Sequence, residues 1–145
     1  MTKKHTSDIN VNVILDENKI PEKLEWSAKD GGIENMESKA IFMSVWDHKV
    51  KEALRIDLWT KDMPLDEMKI FFHQTLTAMS DTFERATNDE KMSATMRDFC
   101  DYFAEKLEIK KGESLRFSFF FIAKEHRTCG FSCLAYLLLH YDLEH

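Results

Sequence analysis

The spacing of the apolar residues changes once along the chain, near residue 62, and this change constrains the fold more than any other feature. Before that point, apolar and polar residues alternate in four segments, which is the two-residue period of a half-buried β-strand. After it, apolar residues recur every three or four positions, which is the period of an amphipathic helix. The chain therefore predicts strands followed by helices, an order typical of α+β proteins.

Four strands and two helices are predicted within residues 1–111. The strands fall at about residues 9–15, 24–28, 40–46 and 54–59, and the clearest loop covers residues 30–35. The first helix begins after Asp62 and Pro64 and runs to about residue 87, and Asp89 can cap a second helix that ends near residue 110. Because a sheet with one apolar face needs a cover, we expect a four-stranded antiparallel sheet followed by two amphipathic helices packed on one face.

The charge balance and the lack of long apolar runs exclude several classes of protein. The chain carries 20 basic and 26 acidic side chains, a net charge of -6, which argues against nucleic acid as a partner. No stretch reaches the roughly 18 uninterrupted apolar residues of a membrane-spanning helix, and no apolar run follows the first lysines as in a signal peptide. Three cysteines, an odd number, fit a reducing compartment. We expect a cytoplasmic protein without an integral membrane segment.

Residues 112–145 differ from the rest of the chain. They hold five of the 11 phenylalanines and two of the 3 cysteines, and their apolar runs follow neither the helical nor the strand period. We therefore predict two regions, a domain at residues 1–111 and an apolar C-terminal extension at residues 112–145. The extension is a second buried hairpin, the product of a shifted reading frame, or a cloning-derived end.

The extension also contains four side chains of the kinds that bind zinc, namely His126, Cys129, Cys133 and His140. Zinc prefers four such ligands in a tetrahedral arrangement. Their spacing matches no common zinc finger, so incidental residues are the favoured interpretation and no metal site is predicted.

The residue types needed for catalysis are present, but not in a catalytic pattern. The only Gly-Gly pair lies outside any phosphate-binding motif. Cys100 lies on the apolar stripe of the second helix, which is typical of a buried thiol, and His73 lies within the first helix. Paired carboxylates occur in turns or at helix starts, where they complement helix dipoles; they are residues 16–17, 66–67 and 89–90. We predict no catalytic residue and no cofactor.

A candidate docking surface lies on the polar face of the last predicted strand. Arg55, Asp57 and Trp59 are spaced two apart, so their side chains share one face of that strand. Trp46, at the end of the preceding strand, is a further aromatic side chain of the kind that anchors interfaces together with arginine. We predict that Trp46, Arg55, Asp57 and Trp59 dock a partner. The alternative is an ordinary solvated sheet face that pairs charges across strands.

Eight strings spread over about residues 8–111 resemble those of one protein family. They are LDEN (15–18), IPEKLEWSA (20–28), ESKA (37–40), SVWD (44–47), LRIDLWTK (54–61), DEMK (66–69), DTFERAT (81–87) and YFAEKLE (102–108). Together they resemble the gliding motility protein GldC family of the Bacteroidota. The resemblance implies a small cytoplasmic accessory protein that is not an enzyme and is associated with surface motility linked to type IX secretion. Members of the family usually end near the second helix, so residues 112–145 lie outside the resemblance.

The resemblance and the lack of a catalytic pattern together predict an interaction subunit of the gliding machinery. Its expected partner is GldB, the lipoprotein encoded beside GldC, or an associated component, and homo-oligomerisation is left open. An alternative is a SecB-like peptide-binding or chaperone module, because SecB has the same order of strands and helices. That alternative requires exposed apolar surface around Phe42, Trp46 and Trp59. An enzyme of unidentified type would need a deep polar pocket with converging side chains.

Overall fold

A computed structural model describes residue 4 and residues 6–109 of the chain, and it confirms an α+β protein. Within the described residues, five strands are followed by two α-helices. The chain divides into two compact units, a strand unit that ends at Met63 and a helical unit that begins at Pro64. The division falls where the apolar period changes in the sequence, because each period suits one kind of element. The predicted extension at residues 112–145 lies outside the described residues.

The strand unit contains two antiparallel sheets. The first has the order β1-β2-β3 and is formed by β1 (Asn10–Leu15), β2 (Pro21–Ala28) and β3 (Ile33–Ser38). The second is a hairpin of β4 (Ala40–Asp47) and β5 (Glu52–Trp59). The antiparallel arrangement is as predicted, but residues 6–109 form five strands in two sheets in place of one sheet of four.

The additional strand, β3, occupies part of the segment that the sequence predicts to be a loop. Asn35 within it has a φ of 48°, the left-handed conformation that asparagine tolerates better than most residues. The Asn35 N–H donates to Ser27 Oγ at 2.9 Å, and the register between β2 and β3 shifts beside Ser27. This irregularity interrupts the alternation by which a strand is recognised in a sequence.

The apolar core of the strand unit is small and lies around β2. Leu24 is fully buried, and Ala28 and Ile33, which face each other across β2 and β3, are also buried. Only Lys39 separates β3 from β4. The base of the hairpin is held by backbone hydrogen bonds, because the N–H of Thr60 donates to the Lys39 carbonyl at 2.8 Å.

Aspartate side chains hold two of the hairpin turns of the strand unit, those between β1 and β2 and between β4 and β5. Asp16 Oδ1 accepts hydrogen bonds from the N–H groups of Asn18 at 2.8 Å and Ile20 at 3.0 Å. Asp47 Oδ1 likewise accepts from the Lys49 N–H at 2.7 Å. These side chains satisfy backbone donors that the turns leave without a ladder partner, and they help to fix the register of the strands on either side.

The described part of the helical unit contains α1 (Leu65–Thr87) and α2 (Glu90–Lys106), close to the predicted bounds. Asn88 ends α1 in the left-handed conformation with a φ of 57°. Asp89 then caps α2, as predicted, since its Oδ1 accepts a hydrogen bond from the Met92 N–H at 2.9 Å. Neither described helix is long and apolar enough to cross a membrane.

The start of α1 differs from the prediction in its cap. Pro64 occupies the N-cap position and provides no side-chain hydrogen bond. Asp62, the predicted acceptor, instead receives a hydrogen bond from the Thr60 hydroxyl at 2.6 Å. The acids Asp66 and Glu67 do lie in the first turn of α1, where they complement the helix dipole.

Candidate functional site

The β4–β5 hairpin presents two faces of different chemistry. Its register pairs Ala40 with Trp59 at one end and Asp47 with Glu52 at the other, without interruption. Because side chains alternate between the faces of a strand, this register assigns every side chain to a face. The aromatic face carries Ala40, Phe42, Ser44, Trp46, Ala53, Arg55, Asp57 and Trp59. The aliphatic face carries Ile41, Met43, Val45, Leu54, Ile56 and Leu58, with Asp47 and Glu52 at its turn end.

All four predicted docking residues lie on the aromatic face. Trp46 is 62% exposed and Trp59 is 53% exposed, so both indoles present most of their surface to solvent. Trp46 is opposite Ala53 and Trp59 is opposite Ala40, which places the indoles near the two ends of the hairpin. Six residues of strand separate those positions, a distance of about 20 Å. Arg55 and Asp57 lie between them.

Arg55 and Asp57 form a bidentate ion pair on this face. Arg55 donates from one terminal nitrogen to Asp57 Oδ1 at 2.7 Å and from Nε to Oδ2 at 3.3 Å. The Arg55 guanidinium carbon also lies 5.8 Å from the centre of the Phe42 ring. These hydrogen bonds hold the pKa of the Asp57 carboxyl below its usual value and raise the pKa of Arg55, so both groups stay charged at neutral pH. Solvent screening makes the pair weak as a source of stability, but it keeps both side chains in a defined position.

The aliphatic face is the surface that reasoning from the sequence missed. Alternation predicts that its residues point toward a covered core. In the structure, Val45, Leu54 and Ile56 each remain about half exposed. Alternation shows which side chains share a face, whereas burial depends on whether another layer packs on that face. This face therefore adds a second exposed apolar surface to the hairpin.

A polar concavity lies at the turn between β1 and β2. It encloses about 420 Å³ and is lined by Leu15, Asp16, Glu17, Asn18, Glu22 and Lys61. Lys61 Nζ lies 3.0 Å from Glu22 Oε1 and 3.5 Å from Asp16 Oδ2, so the cation within it already has carboxylate partners. The pKa of the Asp16 carboxyl is lowered chiefly by the hydrogen bond from the Ile20 N–H. These contacts brace the turn and do not form a catalytic arrangement.

The residues considered for nucleophilic catalysis are both buried in the structure. Cys100 is buried as predicted, and desolvation raises the pKa of its thiol, which disfavours the reactive thiolate. His73 is also buried, with its ring stacked 6.3 Å from that of Phe103, centroid to centroid. Its Nδ1 has no hydrogen-bond partner among the described residues. Neither side chain has the exposure that a substrate needs.

No group of three or more potential metal ligands occurs within residues 6–109. His126, Cys129, Cys133 and His140, the residues considered for zinc, lie outside the described part of the chain. The carboxylates considered for acid–base catalysis have structural positions instead, because Asp16 holds a turn, Asp66 lies at the start of α1 and Asp89 caps α2.

The described residues form an α+β protein whose β4–β5 hairpin carries two largely exposed tryptophans. A family model described as "Gliding motility-associated protein GldC-like" matches residues 21–109, which is more than half of the chain. The protein therefore belongs to the GldC-like family of gliding motility-associated proteins, which is not a known family of enzymes. No curated protein and no solved structure matches the chain.

The matched segment includes both faces of the hairpin and both helices, whereas β1 precedes it and the extension follows it. The match ends at residue 109, close to the predicted domain boundary at residue 111, which stays a prediction.

Proposed function

We propose that this protein is a non-enzymatic, cytoplasmic accessory subunit of the gliding machinery that binds a protein partner through the aromatic face of the β4–β5 hairpin. The observation that carries the proposal is the pair of exposed indoles, Trp46 and Trp59, on one face of a regular hairpin. Tryptophan and arginine are enriched among the side chains that dominate binding energy at interfaces. Family membership supports the setting in gliding motility.

The geometry of the aromatic face specifies what a partner must offer. Two apolar pockets about 20 Å apart would receive Trp46 and Trp59. Between them, polar groups would meet the Arg55–Asp57 pair, whose positions are already fixed in the free protein. Because those two side chains are already held in position, they lose less conformational entropy when a partner binds. GldB or an associated component linked to type IX secretion in the Bacteroidota is the proposed partner.

The proposal is tested by affinity capture with the full chain from the native organism and by complementation of a deletion strain scored by colony spreading. Trp46→Ala and Trp59→Ala should each weaken capture of a reproducible partner by at least about 30-fold, the equivalent of a 2 kcal/mol hot spot. Tyr102→Ala is the matched control, because it removes an exposed aromatic side chain from α2. Capture unaffected by either tryptophan variant, or normal spreading of the deletion strain, would contradict the proposal.

A second candidate, a SecB-like peptide-binding module, is favoured by the exposed apolar side chains on both faces of the hairpin. A chaperone of this kind binds many unfolded chains, whereas a docking subunit recognises one folded surface. Reduced, carboxymethylated α-lactalbumin, which is permanently unfolded, distinguishes the two. Binding that is lost in Trp46→Ala would favour the chaperone, and no binding by the full chain would exclude it in favour of the docking subunit.

A further inference from the structure

The aliphatic face of the hairpin lacks charge over all six of its central positions. Three successive cross-strand pairs cover it, namely Ile41 with Leu58, Met43 with Ile56, and Val45 with Leu54. The side chains of Val45, Leu54 and Ile56 remain about half exposed. Ile41, Met43 and Leu58 on the same face are partly buried. An uncharged aliphatic face that keeps exposed side chains usually marks a site where another surface packs.

The hairpin also has a physical need for such a packing partner. Among the described residues, β4 and β5 form a sheet of only two strands. A two-stranded hairpin is marginally stable in water by itself and gains stability when its apolar face packs against another layer. The aromatic face is divided by a charged pair, so the aliphatic face is the better candidate for close packing.

The charges at the two ends of this face are opposite in sign. Asp47 and Glu52 form the cross-strand pair at the turn end. Lys39 precedes β4 at the other end, and its Nζ forms a long ion pair of 3.9 Å with Oδ2 of the exposed Asp62. The lysines of the turn, Lys49 and Lys51, lie beyond the last paired positions. A second copy placed antiparallel would therefore bring its acidic end beside Lys39 of the first.

We infer that the aliphatic face is a self-association site that packs against the same face of a second copy of this chain. In this arrangement a twofold axis passes near Met43 and Ile56, the central pair. The same surface then serves both copies, as in an isologous dimer. The two hairpins would stack about 10 Å apart with strands nearly aligned. The aromatic faces would remain outside and free, so this inference does not rest on the proposed docking function.

The size of the face sets the expected strength of the dimer. Two eight-residue strands cover a footprint about 27 Å long and about 10 Å wide. That is well below the roughly 800 Å² that each partner buries in a standard stable interface. We therefore expect a weak, reversible dimer that forms only at high protein concentration, as is typical of transient interfaces.

Sedimentation velocity of the full chain, at protein concentrations from about 1 µM to about 500 µM, tests the inference for a dimer of low affinity. The sedimentation coefficient should rise with concentration toward that of a dimer. Ile56→Lys and Val45→Lys, which place a charge in the face at half-exposed positions, should each raise the dissociation constant by at least about tenfold. Ser44→Lys, at an exposed position on the opposite face, is the matched control and should leave it unchanged. Circular dichroism of each variant verifies that the hairpin still folds.

Reversal of the end charges provides a second, independent test. Lys39→Glu and Glu52→Lys should each weaken the dimer, and the variant that carries both changes should recover wild-type self-association, because opposite charges meet again. Three results would overturn the inference. The first is a chain that stays monomeric at all concentrations, and the second is a dimer whose dissociation constant is unchanged by Ile56→Lys and Val45→Lys. The third is an Ile56→Lys variant that is markedly less stable than the wild type at a concentration at which both are monomers. The last result would mean that the chain covers this face itself.

Discussion

Ser93 of α2 donates a hydrogen bond from its hydroxyl to the backbone carbonyl of Ser80 in α1 at 3.0 Å, at a point where both side chains are fully buried. The Ser93 hydroxyl also lies 3.1 Å from a carboxylate oxygen of Glu84, so its single hydrogen has two acceptors within reach. Small side chains at both positions let the helices approach closely.

A larger side chain at this contact should therefore destabilise the helical unit. Ser93→Leu should cost about 1–3 kcal/mol or more, because the added carbon atoms have no space and the buried hydrogen bond is lost. Ser93→Ala should cost about 1 kcal/mol, since it removes only the hydrogen bond. Urea unfolding followed by far-ultraviolet circular dichroism measures both values. Ala94→Leu, at the exposed neighbouring position, is the control and should be nearly neutral.

The cap of α2 gives a prediction about a single hydrogen bond. Asp89→Ala removes the acceptor for the Met92 N–H and should lower the free energy of unfolding by about 1 kcal/mol. Asp89→Asn retains a side-chain oxygen that can accept the same bond and should cost much less. The comparison uses the same urea titration. Equal losses in the two variants would show that the charge of Asp89, and not its hydrogen bond, stabilises the start of α2.

The contact of Arg97 with Asp81 and Glu84 predicts a dependence of stability on pH. Hydrogen bonds from Arg97 and, to a smaller extent, from Ser93 lower the pKa of Glu84 below its usual value of 4.5 in the folded state. A folded-state pKa below the unfolded value stabilises the protein at neutral pH, and this contribution is lost as the pH falls through the folded pKa. The stability difference between wild type and Glu84→Gln should therefore be present at pH 7 and disappear as the pH falls below about 4.5.

Thermal unfolding of the wild type and of Glu84→Gln, from pH 7 to below about pH 4.5, tests the prediction. Glu105→Gln, at an exposed position on α2, is the control and should show no comparable difference at pH 7. Added salt should reduce the effect of Glu84→Gln, because the ion pair is open to solvent and therefore screened. A difference that does not shrink as the pH falls below about 4.5 would mean that Glu84 stabilises the helices through packing, and not through its charge.

Two leucines of the strand unit should respond differently to truncation. Leu24→Ala should cost about 2–5 kcal/mol, because Leu24 is fully buried and its removal leaves a cavity. Leu54→Ala, on the half-exposed aliphatic face, should cost less than about 1 kcal/mol. Measurement at low protein concentration keeps self-association from adding to the Leu54 value. Similar costs for the two variants would show that the aliphatic face is covered within one chain.

Much of the secondary structure could be predicted from local patterns. The alternation in β4 and β5 and the helical spacing after Met63 are both visible in the sequence, and Asp89 is a recognisable cap. β3 was missed because Asn35 takes the left-handed conformation beside a register shift, and such a bulge has no periodic signature.

The candidate site was predicted only in part. The two-residue spacing places Arg55, Asp57 and Trp59 on one face of a strand. That Trp46 shares this face depends on its pairing with Ala53, a register set across the turn. The ion pair between Arg55 and Asp57 likewise depends on rotamers that no local pattern specifies.

The sequence by itself determined the class of fold, the order of its elements and the family, because apolar periods, caps and family strings are local properties of the chain. Tertiary structure alone decided which apolar residues are covered. Leu24 and Leu54 both belong to alternating strand segments, yet Leu24 is fully buried and Leu54 is half exposed. The two-residue period of a strand assigns a side chain to a face, but burial requires a second layer contributed by residues distant in the sequence. For that reason the exposed hairpin, on which both proposals rest, was recognisable only in the folded chain.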